Sequence, residues 1–95
     1  MRAYRGQQLA NVLQQEMSTI FLREFNFENA LVTITHVDVD SNISEATVTL
    51  SVIPFEKELK IITMIEKRKG WIAWKLLKRM HIRAIPQLHF RIQKL

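Results

Sequence analysis

The sequence predicts an α+β domain in which helices cover one face of a three-stranded sheet. Three observations point there. The first quarter carries an apolar stripe at helical spacing, and two runs rich in β-branched residues follow it. The second half then holds two helical stripes and one final alternating run. The 95 residues suit a single domain spanning 1–95, with no repeat, low-complexity run or linker to divide it.

Leu9, Val12, Leu13, Met17, Ile20 and Phe21 recur at spacings of three and four, which predicts an amphipathic helix from about Gly6 to Arg23. Phe25 and Phe27 follow in a polar connection and are expected to pack the chain onto the core. "LVTITHVDV" and "EATVTLSVI", separated by the turn-forming "DSNIS", predict two antiparallel strands. In the second, Ala46, Val48, Leu50 and Val52 share one face, and Thr47, Thr49 and Ser51 the other. One face is therefore buried, and the other is wet or covered by a partner. In the first strand the apolar phase slips between Ile34 and Val37, which predicts a bulge or bend.

Pro54 ends the second strand and favours a helix start, with Glu56 and Glu58 in the first turn where the helix dipole favours acids. Leu59, Ile62 and Ile65 mark that helix, and Gly70 is expected to interrupt it. A new stripe begins at once with Ile72, Ala73, Leu76, Leu77 and Met80. In "IRAIPQLHFRI", Leu88, Phe90 and Ile92 alternate with His89 and Arg91. This is a last strand, restricted by Pro86 to an edge or to its own beginning. The order is helix, strand, strand, helix, kink, helix, strand.

The charge is divided. Residues 1–66 carry five Lys/Arg against nine acids, whereas residues 67–95 carry nine Lys/Arg and no Asp or Glu. Such a split suits a polyanionic partner, although a solvated basic surface would show it too. There is no cysteine, so a reducing cytoplasm is the expected setting. No apolar run approaches the roughly 20 residues that span a bilayer, and the N-terminus lacks the apolar core of a secretory signal. A soluble, cytoplasmic protein is expected.

The predicted break gathers unusual company. Lys67, Arg68 and Lys69 precede Gly70, and Trp71 and Trp74 follow it. On a helical wheel the second stripe fills an arc of roughly 140°, while Trp71, Trp74, Lys75 and Lys78 share the opposite face and Arg79 lies on the flank. Aromatic rings flanked by cations can stack nucleic-acid bases. The alternative is intramolecular, with Trp71 folding back onto the preceding helix and Trp74 leaning over the sheet edge. Gly70 permits positive φ and a close backbone approach, so the next helix's free N–H groups and the cations beside them would suit a phosphate. An ordinary glycine cap between packed helices is the other reading.

Catalytic signatures are missing. His36, His81 and His89 lie far apart with no cysteine beside them, so neither a metal site nor any cofactor is expected. There is no P-loop, GxGxxG or nucleophile elbow. Asp38 and Asp40 alternate where a strand meets a turn and are expected to be solvated. A binding module is expected rather than an enzyme.

Several stretches together resemble the bacterial ribosome-binding factor A family. The first helix carries Arg5, Gln7, Ala10, Glu16 and Ile20, then "LREF"; the strand pair "VTITHVDVDSNISEATVTLSV" follows. The end, "GWIAWKLLKRMHIRAIPQLHF", holds Gly70, Leu76, Leu77, Arg79, Met80, Ile82, Arg83, Pro86, Leu88 and Phe90 in register. The resemblance covers nearly the whole chain and implies a K-homology-like domain of type II topology. It also implies a non-enzymatic factor that binds small-subunit ribosomal RNA and assists late maturation of the 30S particle, near the 5′ end of that RNA. Where K-homology domains grip nucleotides with a GxxG loop, this family has an Ala-x-Gly kink. The corresponding positions here are Arg68, Lys69 and Gly70, so the glycine is kept and the alanine is not.

The expected RNA-binding residues are thus Lys67, Arg68, Lys69, Gly70, Trp74, Lys75, Lys78, Arg79 and Arg83. The expected partners are ribosomal RNA and immature 30S particles, met by a monomer without membrane attachment. Two rival readings are a helix-turn-helix DNA-binding protein and a protein-interaction module covered through its tryptophans and its Thr/Ser sheet face.

Overall fold

A computed structural model describes residues 4–94. The chain runs α1 (Gly6–Glu24), β1 (Leu31–Val39), β2 (Glu45–Ile53), a single 3-10 turn (Phe55–Lys57), α2 (Glu58–Lys67), α3 (Lys69–Met80) and β3 (Gln87–Ile92). The sheet order is β1-β2-β3, with β1 antiparallel and β3 parallel to the central β2. The α+β architecture is the expected one, and both strand ranges of the hairpin match the alternating runs.

Helix α1 buries Leu9, Ala10, Leu13, Met17, Ile20 and Phe21. Val12, expected on the same stripe, sits half-buried on its flank. On β2 the apolar face of Ala46, Val48, Leu50 and Val52 is fully covered, while Thr47, Thr49 and Ser51 stay partly exposed on the other. All three helices therefore lie on one face. Leu13, Met17, Ile65, Ile72 and Leu76 meet between the layers with essentially no solvent contact. Each such side chain contributes about 1.5–3 kcal/mol relative to exposure.

The phase slip in β1 is a bulge. Ile34 pairs with Leu50 and His36 with Thr49, which are consecutive on β2, so Thr35 is the extra residue. That insertion lets both Ile34 and Val37 face the core. β3 is an edge strand that begins immediately after the buried Pro86, where its missing N–H costs no ladder bond.

Helix α2 departs from expectation. Ile61 and Ile65 are its buried residues, with Ile62 beside them, and Leu59 is exposed. Ile61, Ile62 and Ile65 fall within about 100° of one another on the wheel, whereas Leu59 points at least about 60° outside that arc. Three clustered isoleucines outweigh one leucine in setting the helix's rotation. No helix among the described residues is long and apolar enough to cross a membrane.

The β1–β2 connection is organised by Asp40, which does more than meet solvent. Its carboxylate accepts the backbone N–H groups of Ser44 at 2.7 Å and Glu45 at 3.0 Å, and the Ser44 hydroxyl at 2.7 Å. These donors, the Glu45 N–H foremost, hold its pKa below the ordinary value of 3.8. A lowered folded pKa means stability that is present above the unfolded value and lost as pH falls through the folded one. Asp40→Ala is therefore expected to lower the urea midpoint near pH 6. Its deficit relative to the parent should shrink as the pH falls through the lowered folded-state pKa and the parent's carboxylate becomes protonated.

Candidate nucleic-acid interface

The break between α2 and α3 is real but is one residue long and centred on Arg68, with φ −106° and ψ 14°. Helix α2 closes at Lys67, and the Arg68 carbonyl already accepts the Ile72 N–H at 2.9 Å, opening α3. Gly70, the residue expected to break the helix with positive φ, lies instead in the first turn of α3, and no described glycine has positive φ.

What holds the break is aromatic. The Arg68 guanidinium carbon sits 4.4 Å from the ring centroid of Phe25 and 4.2 Å from that of Trp71. Those two rings meet edge-on at 6.1 Å. Arg68 Nη1 also donates to the Glu24 carbonyl at 3.3 Å, at the end of α1. Phe25 stacks on Phe27 at 5.3 Å and meets Phe21 edge-on at 5.2 Å. A planar, weakly hydrated cation suits this slot where an ammonium would not. Arg68 thus turns inward and fastens the corner to α1. The intramolecular reading of Trp71 is the one observed, though its neighbours are Phe25 and Arg68. No local pattern links Phe25 to Arg68; the two aromatics in the connection after α1 were the available signal.

Two further expected cations are engaged by the protein's own carboxylates. Lys69 Nζ lies 3.1 Å from Glu66, one turn back, and Arg79 Nε donates to Glu16 of α1 at 2.6 Å. Both pairs are partly solvated, so each contributes little to stability and can exchange for a stronger anion. Lys67, Lys75, Lys78 and Arg83 make no ion pair or side-chain hydrogen bond among the described residues. Lys67 and Arg83 are exposed and Lys75 is half-buried. Trp74 is 51% exposed, with Lys78 Nζ 5.7 Å from its ring centroid. The wheel holds for Ile72, Leu76 and Met80, which are buried, and for Trp74 and Lys78, which are exposed; Ala73, Leu77 and Lys75 are half-buried, and Trp71, expected on the outer face, packs against the core.

Gly70 is exposed, and a Cβ built there would meet no heavy atom within 4 Å. Nothing inside the fold requires glycine, yet glycine in a helix costs up to about 1 kcal/mol relative to alanine. The surface around the break thus offers a bare backbone, the unengaged Lys67, Lys75, Lys78 and Arg83, the exchangeable Lys69 and Arg79, and a half-open indole. Its chemistry suits a phosphodiester strand.

The aromatic slot can be measured directly. Arg68→Ala is expected to cost about 2 kcal/mol in urea unfolding, and Arg68→Lys to recover only part of it. A double-mutant cycle with Phe25→Ala should show coupling of about 1 kcal/mol.

Residues 5–95 match the sequence pattern of the family described as "Ribosome-binding factor A". The ribosome-binding factor A of Macrococcus caseolyticus is 34% identical over 92% of this chain and 78% of its own length. The crystal structure of ribosome-binding factor A from Thermus thermophilus superposes over 92% of this chain and 89% of that one, with a TM-score of 0.67 at 20% identity. A homology model of the Thermus thermophilus protein, fitted into the cryo-EM map of a 30S complex, matches 90% of this chain and 88% of its own, with a TM-score of 0.64 at 20% identity. Matched over nearly its whole length, this chain belongs to the ribosome-binding factor A family.

Proposed function

We propose that this protein binds the small ribosomal subunit through the surface around the α2–α3 break. It contacts ribosomal RNA there and assists late maturation of immature 30S particles, including processing near the 5′ end of the RNA. It acts by binding and not by catalysis, as a monomer in the cytoplasm. The complex of the Thermus thermophilus relative with the 30S particle supports the partner. The observation that carries the contact is Gly70: an exposed helical glycine with open space around it, on a surface where unengaged cations gather. A bare backbone at that point lets a phosphate approach the first N–H groups of α3.

Lys67, Lys75, Lys78 and Arg83 supply the electrostatic track, and Trp74 offers a ring to a base. Lys69 and Arg79 join by exchanging Glu66 and Glu16 for phosphate. Arg68 serves from beneath, by fixing the angle between the helices. A helix-turn-helix is less well supported, since that motif uses a turn of about three or four residues and the break here is one residue.

Lys75→Glu/Lys78→Glu is expected to weaken binding to 30S particles at least about tenfold. For a single-stranded contact the slope of log affinity against log salt should fall by about 1.4. Gly70→Ala should separate stability from function, raising the unfolding free energy by several tenths up to about 1 kcal/mol while weakening RNA binding. Unchanged cosedimentation of both variants with 30S particles would overturn the proposal.

A further inference from the structure

The exposed residues of α3 are Gly70, Trp74, Lys78 and Arg79. Gly70, Trp74 and Lys78 are spaced four apart, so they form one ridge with a step of about 6 Å. The fold treats its two tryptophans differently. Trp71 has the Arg68 guanidinium 4.2 Å from its ring centroid and Phe25 edge-on to it, and it packs against the core. Trp74 has no place in that core and stays 51% exposed. Lys78 Nζ lies 5.7 Å from its ring centroid. One turn before it is Gly70, where a Cβ would meet no heavy atom within 4 Å. Helical side chains lean toward the N-terminus of their helix, so the indole leans toward a position that carries no side chain. An ammonium borders the ring on one side and bare backbone on the other.

The ridge is complementary to an anion. No Asp or Glu occurs from Lys67 to the end of the chain, and the carboxylates paired with α3, Glu66 and Glu16, are already held by Lys69 and Arg79. The ring decides which form of RNA suits it. In a duplex the faces of the bases are covered by their stacked neighbours, and the A-form major groove is too narrow for side chains to read. A duplex would engage the lysines and leave the indole wet. An unpaired strand supplies phosphates to the cations and the face of a base to the ring.

We infer that the Gly70–Trp74–Lys78 ridge selects unpaired RNA over double-stranded RNA, by stacking one base on Trp74 with the flanking phosphates near Gly70 and Lys78. The selection rests on the RNA contact proposed above and names the class of RNA it takes. Stacking on one aromatic ring changes affinity roughly five- to a hundredfold, a scale large enough to set such a preference.

The test compares a single-stranded RNA of about twelve nucleotides, without self-complementarity, with the same strand annealed to its complement. Trp71→Phe keeps a ring in the aromatic slot and leaves Trp74 as the fluorescent reporter. Should that variant fail to fold, the indole N–H signals of the unsubstituted chain give the same readout by NMR. The single strand is expected to bind at least about tenfold tighter than the duplex at equal salt, and it alone should quench Trp74. Trp74→Leu should bring single-strand affinity down to that of the duplex without altering the salt slope, because the lost contact is uncharged. Trp74→Phe should retain part of the preference. A merely structural role for Trp74 would weaken both RNAs alike.

Equal affinity for the two RNAs, or a preference that survives Trp74→Leu, would sink the inference. If Lys75→Glu/Lys78→Glu still weakens binding to 30S particles in that case, the RNA contact stands and only the selection of unpaired strands falls. If that variant binds 30S particles unchanged, the contact falls as well. Protection of Trp74 on 30S particles without a response to either oligonucleotide would also refute the selection and assign the ring to a protein partner.

Discussion

The parallel pairing of β2 with β3 is the constraint from which the arrangement follows. An antiparallel neighbour can be reached by a tight turn, as β1 and β2 are, but a parallel one requires the chain to travel back along the sheet before it starts. Residues 54–86 make that return, and the apolar face of β2 draws their helices to one side. The return is made by two helices that change direction once, so it has a corner. The corner lies over solvent and can carry a ligand-facing surface without interrupting the core.

A corner of this kind needs a fastening, and here the chain uses long-range contacts. Arg68 reaches the last carbonyl of α1 and the two aromatic rings at once, so the first helix, the connection after it and the α2–α3 junction become one mechanical unit. Arg79 adds a second tie between α3 and α1 through Glu16. Both fastenings occupy positive charge that the bare sequence would assign to an anion. The remaining cations lie further along α3 and beyond it, which moves the centre of positive charge away from the break toward Lys75, Lys78 and Arg83.

Much of the fold was legible in the sequence because its determinants are local. Alternation in "EATVTLSVI" specified the strand and its buried face, and the slip between Ile34 and Val37 disclosed the bulge. Leu59 misled because a single leucine at helical spacing looks like part of a stripe, and only the count of isoleucines opposite it sets the rotation. Gly70 misled for a different reason. Glycine is the residue most associated with helix ends, but the actual break is stabilised by groups more than forty positions away, which no periodicity reports. The same limit hid the engagement of Lys69 and Arg79, whose partners become visible only once helices are packed.

The bulge at Thr35 has an effect on how the sheet meets its surroundings. β1 and β3 are both open borders, and a nine-residue border would ordinarily be a template for unwanted strand addition. The extra residue divides β1 into two stretches of four, and the Gln14 amide occupies the Ile34 carbonyl at 3.0 Å beside the division. β3 is shorter still and sends His89 and Arg91 outward. Each border therefore loses registry with an incoming strand after a few residues, and the domain is protected from fibrous stacking by the same kink that seats its core.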